Sequence, residues 1–121
     1  PFIIQQFIPK VKEGDKRIIL IDGEIVGAIN RLPQDGEIRS NMHVGGLPAK
    51  TEITEGDAKI CNAISQDLKD FGLFFAGIDI IDNLITEINV TSPTGIREIL
   101  QLSGIDVAKI FWDQAERKIN N

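Results

Sequence analysis

At 121 residues, 42% of them hydrophobic and 26% charged, the chain has the composition of one globular domain, or part of one, able to bury a core. A net charge of −5 disfavours general attraction to nucleic acid or anionic membrane, and no apolar run reaches the length of a membrane span or has the form of a signal peptide. One cysteine, Cys61, and one histidine, His43, exclude an internal disulfide framework and a structural zinc site, and fit a reducing, cytoplasmic setting.

Residues 2–8 read as a short buried strand ending at Pro9, and residues 10–14 as a polar turn. The chain opens with Pro1 directly before the apolar Phe2-Ile3-Ile4, which is the expected look of a fragment of a longer protein. Residues 16–22 and 24–30 are two β-branched runs joined at Asp22-Gly23, a pair that accepts positive φ and so predicts a hairpin. Residues 33–53 are rich in proline and glycine and show little periodicity; they are expected to form a long functional or mobile loop. Thr54 followed by Asp57 predicts a capped helix start. Ile60, Cys61, Ile64, Leu68 and Phe71 recur at helical spacing, and Gly72 closes the helix. A second hairpin is expected from residues 73–81 and 84–90 across Asp82-Asn83. A turn-rich loop over 91–95, a short helix over 96–102 and a final amphipathic helix capped by Asp106 complete the chain. The order ββ-β-α-ββ-αα predicts an α+β fold, an antiparallel sheet with helices packed on one face.

The second hairpin holds the most chemistry. Glu87 and Asn89 lie two apart, so their side chains share a sheet face. Counting outward from a two-residue turn puts Ile80 opposite Ile85, Asp79 opposite Thr86 and Ile78 opposite Glu87, give or take one residue. Only a bulge or twist would then bring Asp79 onto the face of Glu87 and Asn89. If the three converge, they supply two carboxylates and an amide oxygen, a hard donor set suited to magnesium and unsuited to zinc or copper. The alternative, a strand-end aspartate beside a solvated face, stays open on spacing alone. Arg17, Arg31 and Arg39 are of the type that grips phosphate or carboxylate, but each also fits an ordinary charged surface. Gly45-Gly46 is a weak phosphate-loop signal, His43 reads as a loop histidine, and Cys61 lies on the apolar stripe as a core residue.

Three segments taken together resemble one family over essentially the whole chain. Gly14-Asp15-Lys16-Arg17 precedes a hairpin, and Arg39-Ser40-Asn41 precedes a Gly-Gly loop. Gly77-Ile78-Asp79-Ile80 is followed by Thr86-Glu87-Ile88-Asn89-Val90-Thr91-Ser92-Pro93-Thr94-Gly95-Ile96-Arg97-Glu98. The set is similar to bacterial glutathione synthetase, in the C-terminal part of its ATP-grasp domain. The Asp…Glu-x-Asn pattern is common to ATP-grasp ligases, whereas the stretch from Asn89 through Glu98 resembles glutathione synthetase specifically.

The resemblance implies an ATP-dependent ligase that joins γ-glutamylcysteine and glycine through an acyl phosphate. By the same likeness Asp79, Glu87 and Asn89 would hold Mg2+ or Mn2+, and Arg17 and Arg31 would contact the phosphates or the acyl phosphate. Gln6, Phe7, Ile8, Asp15, Arg39 and Asn41 would contact ATP, and Thr91, Ser92 and Thr94 would face the peptide or glycine. The Gly45-Gly46 loop would close over the intermediate. A homo-oligomer is implied for the intact enzyme. The family's upstream substrate domain and its lysine-bearing ATP lid have no counterpart in these 121 residues, so the segment alone is expected to be inactive. A ribosomal-protein glutamate ligase also resembles Arg39-Ser40-Asn41 with a Gly-Gly loop. Such ligases carry Asn-x-Ser-Pro-Gly, however, and here Val90 and Thr91 precede Ser92. A non-catalytic nucleotide-binding module is the reading from another class, and the intact Asp/Glu/Asn set speaks against it.

Overall fold

The computed structural model describes residues 14–32, 47–90 and 94–120. The expected strand over 2–8 lies outside them, as do Gln6, Phe7, Ile8, Arg39, Asn41, His43, Gly45, Gly46, Thr91 and Ser92.

Strands β1 (Asp15–Ile21) and β2 (Glu24–Leu32) form the first hairpin, with Ile21 opposite Glu24. Asp22 and Gly23 both take positive φ, 52° and 79°, as a two-residue hairpin turn requires. The short strand β3 (Leu47–Ala49) pairs with the far end of β2, placing Asn30 opposite Ala49 and Leu32 opposite Leu47. It falls inside the stretch expected to be loop. Three residues with Pro48 at their centre carry no period-two signal, and a proline is tolerated there because the strand lies at the sheet edge. Helix α1 (Glu55–Asp70) follows, then β4 (Phe75–Ile81) and β5 (Leu84–Asn89), whose turn residues Asp82 and Asn83 have φ of 51° and 61°. Helices α2 (Ile96–Ser103) and α3 (Val107–Ile119) close the described chain. The five strands are antiparallel throughout, in the order β3-β2-β1-β4-β5.

The α+β class and the antiparallel sheet are as expected, but the helices do not share one face. On one side Ile18, Leu20, Ala28, Ala76, Ile78 and Ile80 pack against Cys61 and Leu68 of α1. On the other, Ile19, Ile21 and Ile29 pack against Ile99 of α2 and Val107 of α3. The cause is in β1 itself. Ile18-Ile19-Leu20-Ile21 is apolar without alternation, so both faces of this central strand need covering. Gly27 lets the second layer come close: a Cβ there would sit 3.0 Å from Ile99 Cγ2. Phe111 of α3 completes that layer with edge-on contacts to Phe74 and Phe75, at centroid separations of 5.4 and 5.2 Å.

Helix α1 starts as the sequence predicts. Asp57 N–H donates to Thr54 Oγ1 at 3.1 Å, and Thr54 N–H donates to Asp57 Oδ2 at 2.9 Å. The same Asp57 oxygen accepts Lys16 Nζ at 2.5 Å, which ties the helix start to β1. Thr54→Ala removes one half of this reciprocal cap and should cost about 1 kcal/mol of stability, readable by urea unfolding. Cys61 is a core residue, as expected. Burial, with help from the nearby Asp57 charge, pushes its thiol up to about 11. Alkylation of the folded protein at neutral pH should therefore run roughly two orders of magnitude slower than that of the unfolded chain, on thiolate fraction alone.

Candidate functional site

Alternation along β1 sends Asp15 and Arg17 to the side that carries Ile19 and Ile21. Direct cross-strand partners share a face, so register decides what joins them. Arg31 of β2 lies opposite Asp15, and Asp79 of β4 lies opposite Arg17. On β5 the pairing runs Gly77 with Asn89, Ile78 with Ile88 and Asp79 with Glu87, then jumps to Ile80 with Ile85. Thr86 is the extra residue of a β-bulge, and its hydroxyl donates to the Asp79 carbonyl oxygen at 3.3 Å. A plain count from the turn puts Asp79 opposite Thr86; the bulge moves it opposite Glu87. Asp79, Glu87 and Asn89 therefore lie on one face, beside Arg17, Arg31 and Asp15.

Asp79 is fully buried and is gripped from two sides. Arg17 Nε donates to Oδ1 at 2.6 Å and Arg17 Nη2 to Oδ2 at 3.0 Å, a forked pair of charge-assisted bonds. Arg31 Nη2 lies 3.1 Å from the same Oδ2 and donates to Asp15 Oδ2 at 2.6 Å. Burial by itself would raise the carboxyl pKa of Asp79. The hydrogen bonds from Arg17 and the charges of Arg31 and Arg17 outweigh it, holding Asp79 below the usual carboxylate range. Burial likewise disfavours the Arg17 cation, but Asp79 more than restores it. Glu87 is different: its side chain is 51% exposed, with Oε1 3.9 Å from Arg17 Nη2.

Arg17 also reaches the chain just before α2. Its Nη1 donates to the Thr94 carbonyl at 3.1 Å and lies 3.4 Å from Thr94 Oγ1. Of the residues expected to face peptide or glycine, Thr94 is thus tied directly to the acidic centre. Asp15, expected near the nucleotide, is buried against Arg31 on this same face. Sequence reasoning did not see that Arg17 spans Asp79 and Thr94, because Arg17 and Asp79 lie 62 residues apart in the chain. The available signal was Asp15-x-Arg17 placed on β1 to face Arg31 across the Asp22-Gly23 turn.

The residues present suit a hard divalent cation. Glu87 offers a carboxylate open to solvent, and Asn89 shares its face. Asp79 keeps lone pairs beyond those its arginines use. Among the described residues no three of His, Cys, Asp and Glu come together as a cage. Mg2+ needs only one or two carboxylates, because water and phosphate oxygens complete its shell.

The fold is that of the ATP-grasp ligases. The structure of the ATP-grasp ligase PsnB, complexed with precursor peptide PsnA2 and AMPPNP, matches it with a TM-score of 0.60 at 17% identity, over 89% of this chain and 33% of that one. The family description "Prokaryotic glutathione synthetase, ATP-grasp domain" matches residues 1–104, and the chain belongs to this family. It is 53% identical over 118 residues to a glutathione synthetase of Agrobacterium fabrum (strain C58), covering 98% of this chain and 37% of that protein. It is 54% identical over 118 residues to a glutathione synthetase of Mesorhizobium japonicum, covering 98% and 38%. The chain therefore spans under two fifths of the length of these relatives.

Proposed function

We propose that the protein carrying this segment is an ATP-dependent carboxylate–amine ligase that makes glutathione from γ-glutamylcysteine and glycine. The γ-phosphoryl group of ATP passes to the cysteinyl carboxylate of the dipeptide, giving an acyl phosphate and ADP. The glycine amine then attacks the acyl carbon, phosphate leaves, and the amide C–N bond is made. The family membership supports this reading. The single structural observation that carries it is the Thr86 bulge, which sets Asp79, Glu87 and Asn89 on one face next to Arg17 and Arg31.

In this reading Asp79, Glu87 and Asn89 present oxygens to Mg2+ or Mn2+. A cation bound there supplies positive charge to the triphosphate as its terminal group is transferred. Arg31, and Arg17 through the N–H groups its bonds to Asp79 and Thr94 leave over, offer guanidinium donors to phosphate or acyl-phosphate oxygens, where preorganised donors stabilise developing charge. Asp15, with Gln6, Phe7, Ile8, Arg39 and Asn41, serves the nucleotide. Thr94, with Thr91 and Ser92, serves the dipeptide or glycine, and the Arg17–Thr94 bonds fix its position relative to Asp79. Association of the intact enzyme into a homo-oligomer belongs to the same reading.

The test is ADP release by the intact protein under two substrate sets. With γ-glutamylcysteine, glycine and ATP, one ADP is expected per glutathione formed. Turnover only with glutamate as the amine donor and a protein C-terminus as acceptor would replace this reading with that of a peptide-tailing glutamate ligase.

A further inference from the structure

The two arginines of the site are held unequally. Arg17 commits Nε and Nη2 to Asp79 and Nη1 to Thr94, and it is 3% exposed. Arg31 makes both of its ion pairs through Nη2, at 2.6 Å to Asp15 and 3.1 Å to Asp79. Among the described residues its buried Nε–H has no hydrogen-bond partner. A buried donor in that state carries the full cost of its desolvation, and an incoming acceptor oxygen would relieve it. Among the described residues the face sets three carboxylates, Asp15, Asp79 and Glu87, against two guanidinium groups. Its local charge is therefore almost balanced before anything binds.

We propose that Arg31, backed by Arg17, stands in the cation's place at Asp79, so that the site takes up a divalent cation appreciably only together with a polyphosphate. The inference rests on the reading that Asp79 and Glu87 hold the cation. A divalent ion on Asp79 would share a carboxylate with guanidinium nitrogens at 3.0 and 3.1 Å. That is well inside the screening length of physiological salt, about 8 Å, so the like charges repel almost unscreened. A polyphosphate changes this balance in two ways. Its negative charge offsets the added cation, and its oxygens accept from Arg31, including from the unpartnered Nε–H. Arg31 is the one to turn because Arg17 is anchored at both ends. Cation and polyphosphate thereby raise each other's affinity by the same factor, as linkage requires.

The experiment follows free Mn2+ by electron paramagnetic resonance as it is titrated into the intact protein. Titrations are run with and without ADP, and binding of Mn2+ to ADP alone is subtracted. In the unsubstituted protein Mn2+ alone should bind at least about tenfold more weakly than Mn2+ with ADP, within the usual range of coupling between sites. Arg31→Met removes the competing charge and should tighten binding of Mn2+ alone about tenfold, reducing the coupling by the same factor. Arg31→Lys keeps the charge and should stay near the original value. Circular dichroism checks each fold, and Arg31→Gln replaces the methionine variant if that one does not fold. Equal affinity for Mn2+ with and without ADP, or neutral variants that bind Mn2+ alone no better, would overturn the inference while leaving the cation site standing. No protein-bound Mn2+ under any condition would remove the cation site and the inference together.

Discussion

If the proposed ligase reading holds, Glu87→Ala in the intact protein should lower kcat by about two to three orders of magnitude, the loss typical of deleting one preorganised charge-stabilising group. Stability should barely move, because the Glu87 side chain is 51% exposed and its ion pair with Arg17 is long, at 3.9 Å. That separation of effects is the useful part. A glutamate that only decorated an edge strand would show neither loss. One that propped up the fold would lower the melting temperature along with the rate. Steady-state kinetics beside thermal unfolding of the same preparation reads both. Glu87→Asp, which keeps the charge and shortens its reach, should fall between. A drop in kcat under tenfold with the alanine variant would remove Glu87 from the cation-holding set.

The second large effect concerns folding. Arg17→Met should cost about 3–5 kcal/mol, since it strips the fully buried Asp79 carboxylate of its forked charge-assisted bonds. That is a sizeable share of the roughly 5–15 kcal/mol by which domains are stable. Asp79→Asn should recover part of the loss in the double variant, because a neutral amide no longer needs the guanidinium charge; urea midpoints of the four proteins close the cycle. The pH dependence has a definite sign. Asp79 is held below the normal carboxylate range, so its contribution is complete above the unfolded aspartate value of about 3.9 and fades as pH falls through the lower folded value. Asp57 behaves the same way: burial opposes its ionisation, and Lys16 with the Thr54 amide overrides that. In the Arg17→Met protein the burial effect on Asp79 is no longer matched by its main partner. The carboxyl therefore protonates at higher pH, and acid unfolding should begin earlier than in the parent.

Much of this architecture could be read from local chemistry. Asp22-Gly23 and Asp82-Asn83 announced both hairpins because few residues besides Gly, Asn and Asp accept positive φ. Thr54 and Asp57 announced the start of α1. What escaped depended on partners far away in sequence. The unbroken apolar run Ile18–Ile21 was recognised as a strand, but its demand for cover on both sides was not drawn out, so α2 and α3 were expected beside α1 instead of across the sheet from it. β3 was missed because pairing with β2, and no internal pattern, makes Leu47–Ala49 a strand. A bulge or twist was the stated condition for bringing Asp79 to Glu87 and Asn89, but its position at Thr86 was not legible, since nothing in Leu84–Asn89 marks which residue will be left unpaired. Family resemblance named Asp79, Glu87 and Asn89 as the residues that would hold the cation; the bulge is the backbone device that brings them to one face. The Arg17–Asp79–Thr94 bridge required knowing that β1 and β4 are neighbours, although 53 residues separate the end of one from the start of the next.

The most direct measurement is a crystal structure of the intact protein with Mg2+ and a non-hydrolysable ATP analogue. Side-chain oxygens of Asp79, Glu87 and Asn89 are expected at about 2.1 Å from bound Mg2+, with phosphate oxygens filling the remaining positions. A map in which the cation is held by phosphate and water alone, with these three side chains directed elsewhere, contradicts the proposed site.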